Sequence, residues 1–206
     1  MSSKRSVNNP EHEVPESEAE LIDLSRRGDC EAFGRLAERC QDRIYNLAFR
    51  LTGQHHQALD LSQEALTRAF GAISKFRGES GFYTWMYRIV MNLHVNRERS
   101  LARKAEKKTF SLNPVDRADG RSLRIEFADD RAGDPSKPLE DQERDQIIQN
   151  ALLKLDANHR QVILLRDLEG MPYDEIAQIL DVPSGTVKSR LHRAREELRN
   201  LLTGVL

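Results

Sequence analysis

The chain predicts an all-α fold of two small helical domains joined by a flexible linker, on three observations. Apolar residues recur three and four apart along most of its length, the spacing of one helix face. No stretch alternates apolar and polar residues as a strand would. Between residues 109 and 138 the period is lost and breakers gather at Asn113-Pro114, Asp119-Gly120, Gly133-Asp134-Pro135 and Pro138. At 206 residues with 38% apolar side chains, the chain can fill two small cores. We divide it into a polar tail (1–16), an N-terminal domain (17–100), a linker (101–138) and a C-terminal domain (139–206).

The tail carries Pro10 and Pro15 and no apolar period, which predicts disorder. Ser17 to Arg27 is a short helix through Leu21, Ile22 and Leu24, stopped by Gly28. From Glu31, the series Phe33, Leu36, Ala37, Cys40, Ile44, Leu47, Ala48 and Leu51 holds helical spacing to Thr52-Gly53. Leu59, Leu66, Ala69, Phe70 and Ile73 give a third helix, with Gly71 inside it at a cost of about 1 kcal/mol relative to alanine.

A loop at Arg77–Gly81 then leads into a helix with Phe82, Tyr83, Trp85 and Tyr87, a dense aromatic cluster in a chain only 6% aromatic. Phe82, Trp85 and Ile89 supply a buried stripe, so Tyr83 and Tyr87 are expected to face outward beside Arg88. Aromatics beside cations form a stacking platform for unpaired bases; packing in a core explains the same residues without any ligand.

After the linker, Leu139 to Leu155 is helical through Ile147, Ile148, Ala151 and Leu152, and a second helix spans about His159–Leu168. Both are expected to pack against the segment Pro172–Arg199, which reads as two helices around a break. Ile176, Ala177 and Leu180 stripe the first. Asp181-Val182-Pro183 ends it, because proline lacks a donor and biases its predecessor away from helix. Ser184 is a good N-cap, and Val187, Leu191, Ala194, Leu198 and Leu201 mark the buried face of the longer second helix. That register turns Lys188, Ser189, His192 and Arg193 to solvent, which suits a DNA major groove, where Arg or Lys meets guanine edges. A solvated amphipathic helix laced by pairs such as Arg193–Glu197 is the alternative. The short partner helix and three-residue break favour a helix-turn-helix over about 173–192.

The formal net charge of −1 conceals patches. Residues 184–199 hold five cations against two acids, and residues 97–108 hold six against two. Cys30 and Cys40 form no metal or redox motif and are expected to be buried, inert thiols. No phosphate loop, nucleophile elbow or zinc-helix motif occurs, and adjacent His55-His56 point about 100° apart on a helix, so no metal, cofactor or catalysis is expected. No apolar run reaches a membrane span, and the N-terminus lacks a signal-peptide core, which predicts a cytoplasmic protein without direct membrane insertion.

Three segments resemble the bacterial extracytoplasmic-function (ECF) sigma factors of the sigma-70 family. D-L-S-Q-E-A-L-T-R-A-F (60–70) is similar to the family's core-polymerase-binding motif. K-F-R-G-E-S-G-F-Y-T-W-M-Y-R-I-V-M-N (75–92) is similar to its −10 recognition and melting segment. The 173–198 segment is similar to its −35-binding helix-turn-helix. The resemblance implies a polymerase subunit with sigma region 2 in residues 17–100 and region 4 in 139–206. Its implied partners are core RNA polymerase, promoter DNA and an anti-sigma factor that can hold it at the membrane.

The residues it marks for core polymerase are Asp60, Leu61, Gln63, Glu64 and Phe70. For the −10 strand they are Phe76, Arg77, Tyr83, Trp85, Arg88 and Asn92, with Phe76 and Asn92 at positions that capture a flipped base. For the −35 duplex they are Ser184, Lys188, Ser189, His192 and Arg193. The linker acids Glu126, Asp129, Asp130 and Asp134 match a segment that threads the RNA exit channel. His55-His56-Gln57, Leu66 and His192 depart from the usual pattern. A duplex-only helix-turn-helix regulator remains the alternative function.

Overall fold

A computed structural model describes residues 17–110 and 139–203. The expected tail, the linker acids and the bulk of the linker lie outside the described residues. Within them the chain forms eight α-helices: α1 (Glu18–Arg26), α2 (Cys30–Thr52), α3 (His55–Ala72), α4 (Phe82–Phe110), α5 (Leu139–Lys154), α6 (Ala157–Ile163), α7 (Tyr173–Leu180) and α8 (Ser184–Thr203). A 3₁₀ turn, Ile73–Lys75, continues α3, and a wide π-helical turn, Leu164–Leu168, continues α6.

The helix starts follow local hydrogen bonding. Ser17 and Glu20 form a reciprocal capping box, the Glu20 N–H donating to Ser17 Oγ at 3.2 Å and the Ser17 N–H to Glu20 Oε2 at 2.9 Å. Asp29 accepts from the N–H groups of Glu31 and Ala32, at 2.9 and 3.0 Å, and starts α2. Gly53 ends α2 in the left-handed region, at φ 71°, with its N–H on the Phe49 carbonyl. Helix α4 runs through residues 101–110 instead of stopping near 100. The run L-A-R-K-A-E-K-K is made of strong helix formers and contains no breaker.

The N-terminal half buries Leu36, Ile44, Leu47 and Leu51 of α2 against Leu61, Ala65 and Ala69 of α3 and Met86, Val90 and Met91 of α4. The C-terminal half closes around Leu152, Val162, Leu164, Leu165, Ile176, Ile179, Val187, Leu191 and Ala194. Each fully buried aliphatic side chain contributes about 1.5–3 kcal/mol. Cys40 is buried, and burial pushes its thiol up to about 11. Cys30, expected inside, is exposed because it opens α2 at the surface.

The two halves are in contact. Arg160 of α6 donates to the Leu51 carbonyl at the end of α2, at 2.8 Å, and the buried Gln149 of α5 donates to the Phe49 and Arg50 carbonyls at 3.1 and 3.4 Å. Beside them His94 of α4 is buried. Burial lowers its pKa below 6.5, Arg160 and Arg97 adding to the effect and Glu98 opposing it.

Two stability measurements follow. At Gly53 an added Cβ would lie 2.4 Å from Leu153 Cδ1 of the other half, whereas Gly28, also at positive φ (96°), has open space around it. Gly28→Ala should cost about 1 kcal/mol for backbone strain, and Gly53→Ala measurably more, by urea unfolding. For His94, the unfolded side chain takes up its proton near pH 6.5 while the folded one resists. Stability is therefore intact above that pH and falls as the pH drops through it. The decline should be shallower in His94→Asn.

Candidate nucleic-acid and polymerase interface

Helix α8 is built as a two-sided element. Asp181 closes α7 in the left-handed region, at φ 54°, its N–H on the Ala177 carbonyl, and three residues separate α7 from α8. The carbonyl of Pro183 accepts from Thr186 and Val187, so Pro183 holds the cap position and α8 begins at Ser184 itself. Ser184, expected as the N-cap, is thus the first helical residue. Val187, Leu191 and Ala194 are buried against the C-terminal core.

On the opposite side Lys188, Ser189, His192 and Arg193 are exposed together, one or two helical turns from the start. Ser189 Oγ donates to the Thr186 carbonyl at 3.0 Å, and His192 faces Glu196 at 3.9 Å. The Lys188 ammonium lies 5.8 Å from the Tyr173 ring. Arg195, one register step nearer the core, is held by Asp167 through two bonds of 3.0 and 2.5 Å. The helix therefore offers Lys188 and Arg193 as cations, while Arg195 is committed to its own domain.

Around Phe76 an aromatic nest forms. Phe76, Phe82 and Trp85 have ring centroids 5.1–6.2 Å apart. Phe76 and Phe82 are buried, Trp85 is half-buried, and Arg77 and Asn92 are exposed at the two ends of the segment. Phe76 is thus covered by its neighbours and would reach a base only after they part.

Tyr83 is half-buried and donates to the Arg39 carbonyl at 3.1 Å, with the Arg43 guanidinium 4.4 Å from its ring centre. Tyr87, expected to face outward, is fully buried. Its hydroxyl donates to Glu169 of the C-terminal half at 2.5 Å. Burial raises its pKa, and Glu169 adds to the rise. Arg88 is half-buried, and its Nε is buried without a hydrogen-bond partner.

The outer face of α3 presents Asp60 and Gln63, both exposed, and Phe70, 45% exposed with its ring edge-on to Phe33 at 5.2 Å. Glu64 lies half-buried between them. It accepts from Arg97 at 2.6 Å and Arg68 at 2.8 Å, and the Arg97 bond holds its carboxyl below the usual range. Leu61 does not belong to this face: it is 0% exposed, one position round the helix from Asp60 and packed into the core. Leu59, 41% exposed, is the apolar side chain that accompanies Asp60 outside. Helical register from the exposed acids would have picked Leu59 over Leu61.

His55 shares a 2.7 Å hydrogen bond with the Tyr45 hydroxyl, and His56 is exposed. Among the described residues no three His, Cys, Asp or Glu side chains are grouped to hold a metal ion. No described helix is long and apolar enough to cross a membrane.

The family models for Sigma-70 region 2 and Sigma-70 region 4 match residues 36–104 and 145–198, the segments that carry these faces. The ECF RNA polymerase sigma factor SigW of Bacillus subtilis (strain 168) is 35% identical over 178 residues, covering 86% of this chain and 92% of that protein. The ECF RNA polymerase sigma-E factor of Escherichia coli (strain K12) is 34% identical over 180 residues, covering 87% and 91%. In fold, the chain is similar to the sigma factor RpoE solved in complex with the anti-sigma factor NepR from Bartonella quintana. That likeness has a TM-score of 0.62 at 24% identity and covers 84% of this chain and 98% of that one.

The assignment of α3 faces is open to direct measurement. Leu61→Ala should lower unfolding free energy by about 2–5 kcal/mol, because it leaves a cavity. Gln63→Ala, on the outside, should stay within about 0.5 kcal/mol of the parent in the same denaturant titration.

Proposed function

The chain belongs to the ECF group of sigma-70 family RNA polymerase sigma factors, and we propose a division of labour among its faces on that basis. It directs core polymerase to promoters. In our reading, α8 reads the −35 duplex, the 76–92 segment captures the opened −10 strand, and the outer face of α3 docks on core polymerase. The observation that carries this is the exposed set Lys188, Ser189, His192 and Arg193, facing away from the buried Val187, Leu191 and Ala194.

At −35, Arg193 and Lys188 are placed to meet guanine edges or phosphate, and each phosphate neutralised releases counterions, which makes binding salt-dependent. At −10, unpairing and flipping a base cost a few kcal/mol, and aromatic stacking near Phe76 and Trp85 returns about 1–3 kcal/mol per base. Arg77, Arg88 and Asn92 supply charge and hydrogen bonds around that pocket, and Tyr83 extends it. No bond is made or broken by this chain, so we read it as a non-enzymatic factor in which binding energy drives strand opening. Asp60, Gln63, Glu64 and Phe70, with Leu59, form the polymerase-docking surface. An anti-sigma factor is a further partner, as in the solved RpoE–NepR pair. The working compartment is the cytoplasm, where polymerase and promoter meet.

Run-off transcription with purified core polymerase tests the function: the chain should confer initiation, which a duplex-only regulator would not. Arg193→Ala should weaken −35 binding by about 1–3 kcal/mol on cognate DNA, whereas Arg195→Ala, tied to Asp167, should lose less and without regard to sequence. Replacing Gln63 and Glu64 together should abolish core binding while far-UV circular dichroism and −35 binding stay unchanged. Retained core affinity would move the docking surface off α3.

A further inference from the structure

Tyr83, Thr84, Tyr87 and Arg88 sit three and four apart on one side of α4, and acids of the C-terminal half cover that side. Glu169, at the exit of the π-helical turn and 16% exposed in its side chain, accepts from the Tyr87 hydroxyl at 2.5 Å and from Arg43 at 3.0 Å. Glu175, in the first turn of α7, accepts from Thr84 Oγ1 at 2.7 Å. The Arg43 guanidinium lies over both tyrosine rings, 4.4 Å from the centre of Tyr83 and 5.8 Å from that of Tyr87. Thr84 and Tyr87 are buried, and Arg88, one helical turn on from Thr84, has a buried Nε with no acceptor among the described residues.

Arg43, Thr84, Tyr87 and Arg88 are all donors, and each acceptor they meet is a carboxylate. A row of hydroxyl and guanidinium donors beside aromatic rings has the chemistry of a site for the backbone of single-stranded nucleic acid. We propose that these four residues form a phosphate-binding strip for the opened DNA strand, and that Glu169 and Glu175 occupy it in the free chain in place of phosphate. The proposal rests on the −10 reading of residues 76–92 and adds to it: the C-terminal half and the DNA strand compete for one side of α4. In the closed chain three of the donors are satisfied, and the Nε of the fourth is not. An incoming strand can satisfy all four, so binding to DNA opens the chain.

The test uses the full chain, a fluorescein-labelled single strand of mixed sequence, and small-angle X-ray scattering. The Glu169→Ala/Glu175→Gln pair, outside every proposed binding face, should enlarge the radius of gyration. It should also tighten strand binding at least about tenfold, the scale of losing charge-assisted bonds. Tyr87→Phe, which keeps the ring and removes one donor, should open the chain without the full gain in affinity. Adding Arg43→Ala to the acid pair should reverse the gain. An acid-pair variant that keeps the parent radius and affinity overturns the proposal. An expanded variant with unchanged affinity also overturns it, since closure would then mask nothing. Arg77→Ala in the expanded background reads the underlying assignment separately. If Arg77→Ala leaves affinity untouched, the −10 reading fails whatever the radius does.

Discussion

An α-helix ends with four carbonyls that have no partner within it, and in this chain one guanidinium resolves that problem for two helices. Arg160 donates through Nε to Leu152, through Nη2 to Leu153 and Leu155, and through Nη1 to Leu51, 109 positions earlier. The end of α5 and the end of α2 are therefore completed by the same side chain. Gln149 supplies donors for the neighbouring Phe49 and Arg50 carbonyls. Burial depresses the pKa of Arg160, while Glu98 and Asp156 favour its charge. Once those two helix ends share a cation, Gly53 meets Leu153 and α4 lies along α7. The acidic cover over α4 depends on that arrangement.

Most of the helices, and the face that α8 leaves open, were legible in the sequence. A helix with its apolar residues on one side declares its orientation. Val187, Leu191 and Ala194 did so for α8, and the exposure of Lys188, Ser189, His192 and Arg193 followed. Helix α4 does not declare one, because Phe82, Tyr83, Trp85, Met86, Tyr87, Ile89, Val90 and Met91 surround it with apolar and aromatic surface. Which of them faces solvent is decided by a partner element far along the chain. Periodicity within one helix holds no information about that partner, so Tyr87 was misplaced. Leu61 is a different failure: it falls inside a motif whose neighbours are exposed, and only the 100° step from Asp60 separates it from them. Cys30 and Ser184 turned on boundaries shifted by a residue, where a cap and a first turn exchange roles.

Charge in this molecule is shared between folding and recognition more than composition suggests. Glu64 is neutralised by Arg97 and Arg68, so a partner docking on α3 meets Asp60 as the less encumbered acid and must draw Glu64 away from two cations. Arg195 spends its fork on Asp167, which leaves the outward cations of α8 surrounded by fewer competing acids. Arg97, Arg99 and Arg103, after Asn96, lie on one continuous helix and are therefore spaced at a fixed rise.

The left-handed residue between α7 and α8 has a mechanical consequence. Helix α8, at 20 residues, is about 30 Å long, and its angle to α7 is set at the turn around Asp181. A rotation of about 10° at that turn would sweep the far end through about 5 Å, more than the strand-axis rise of one base pair. Aspartate accepts the left-handed region less freely than glycine does, and it resists such swings. Asp181 thus stiffens the angle between α7 and α8, and under the proposed −35 role the fidelity of reading rests partly on a residue outside the exposed face of α8.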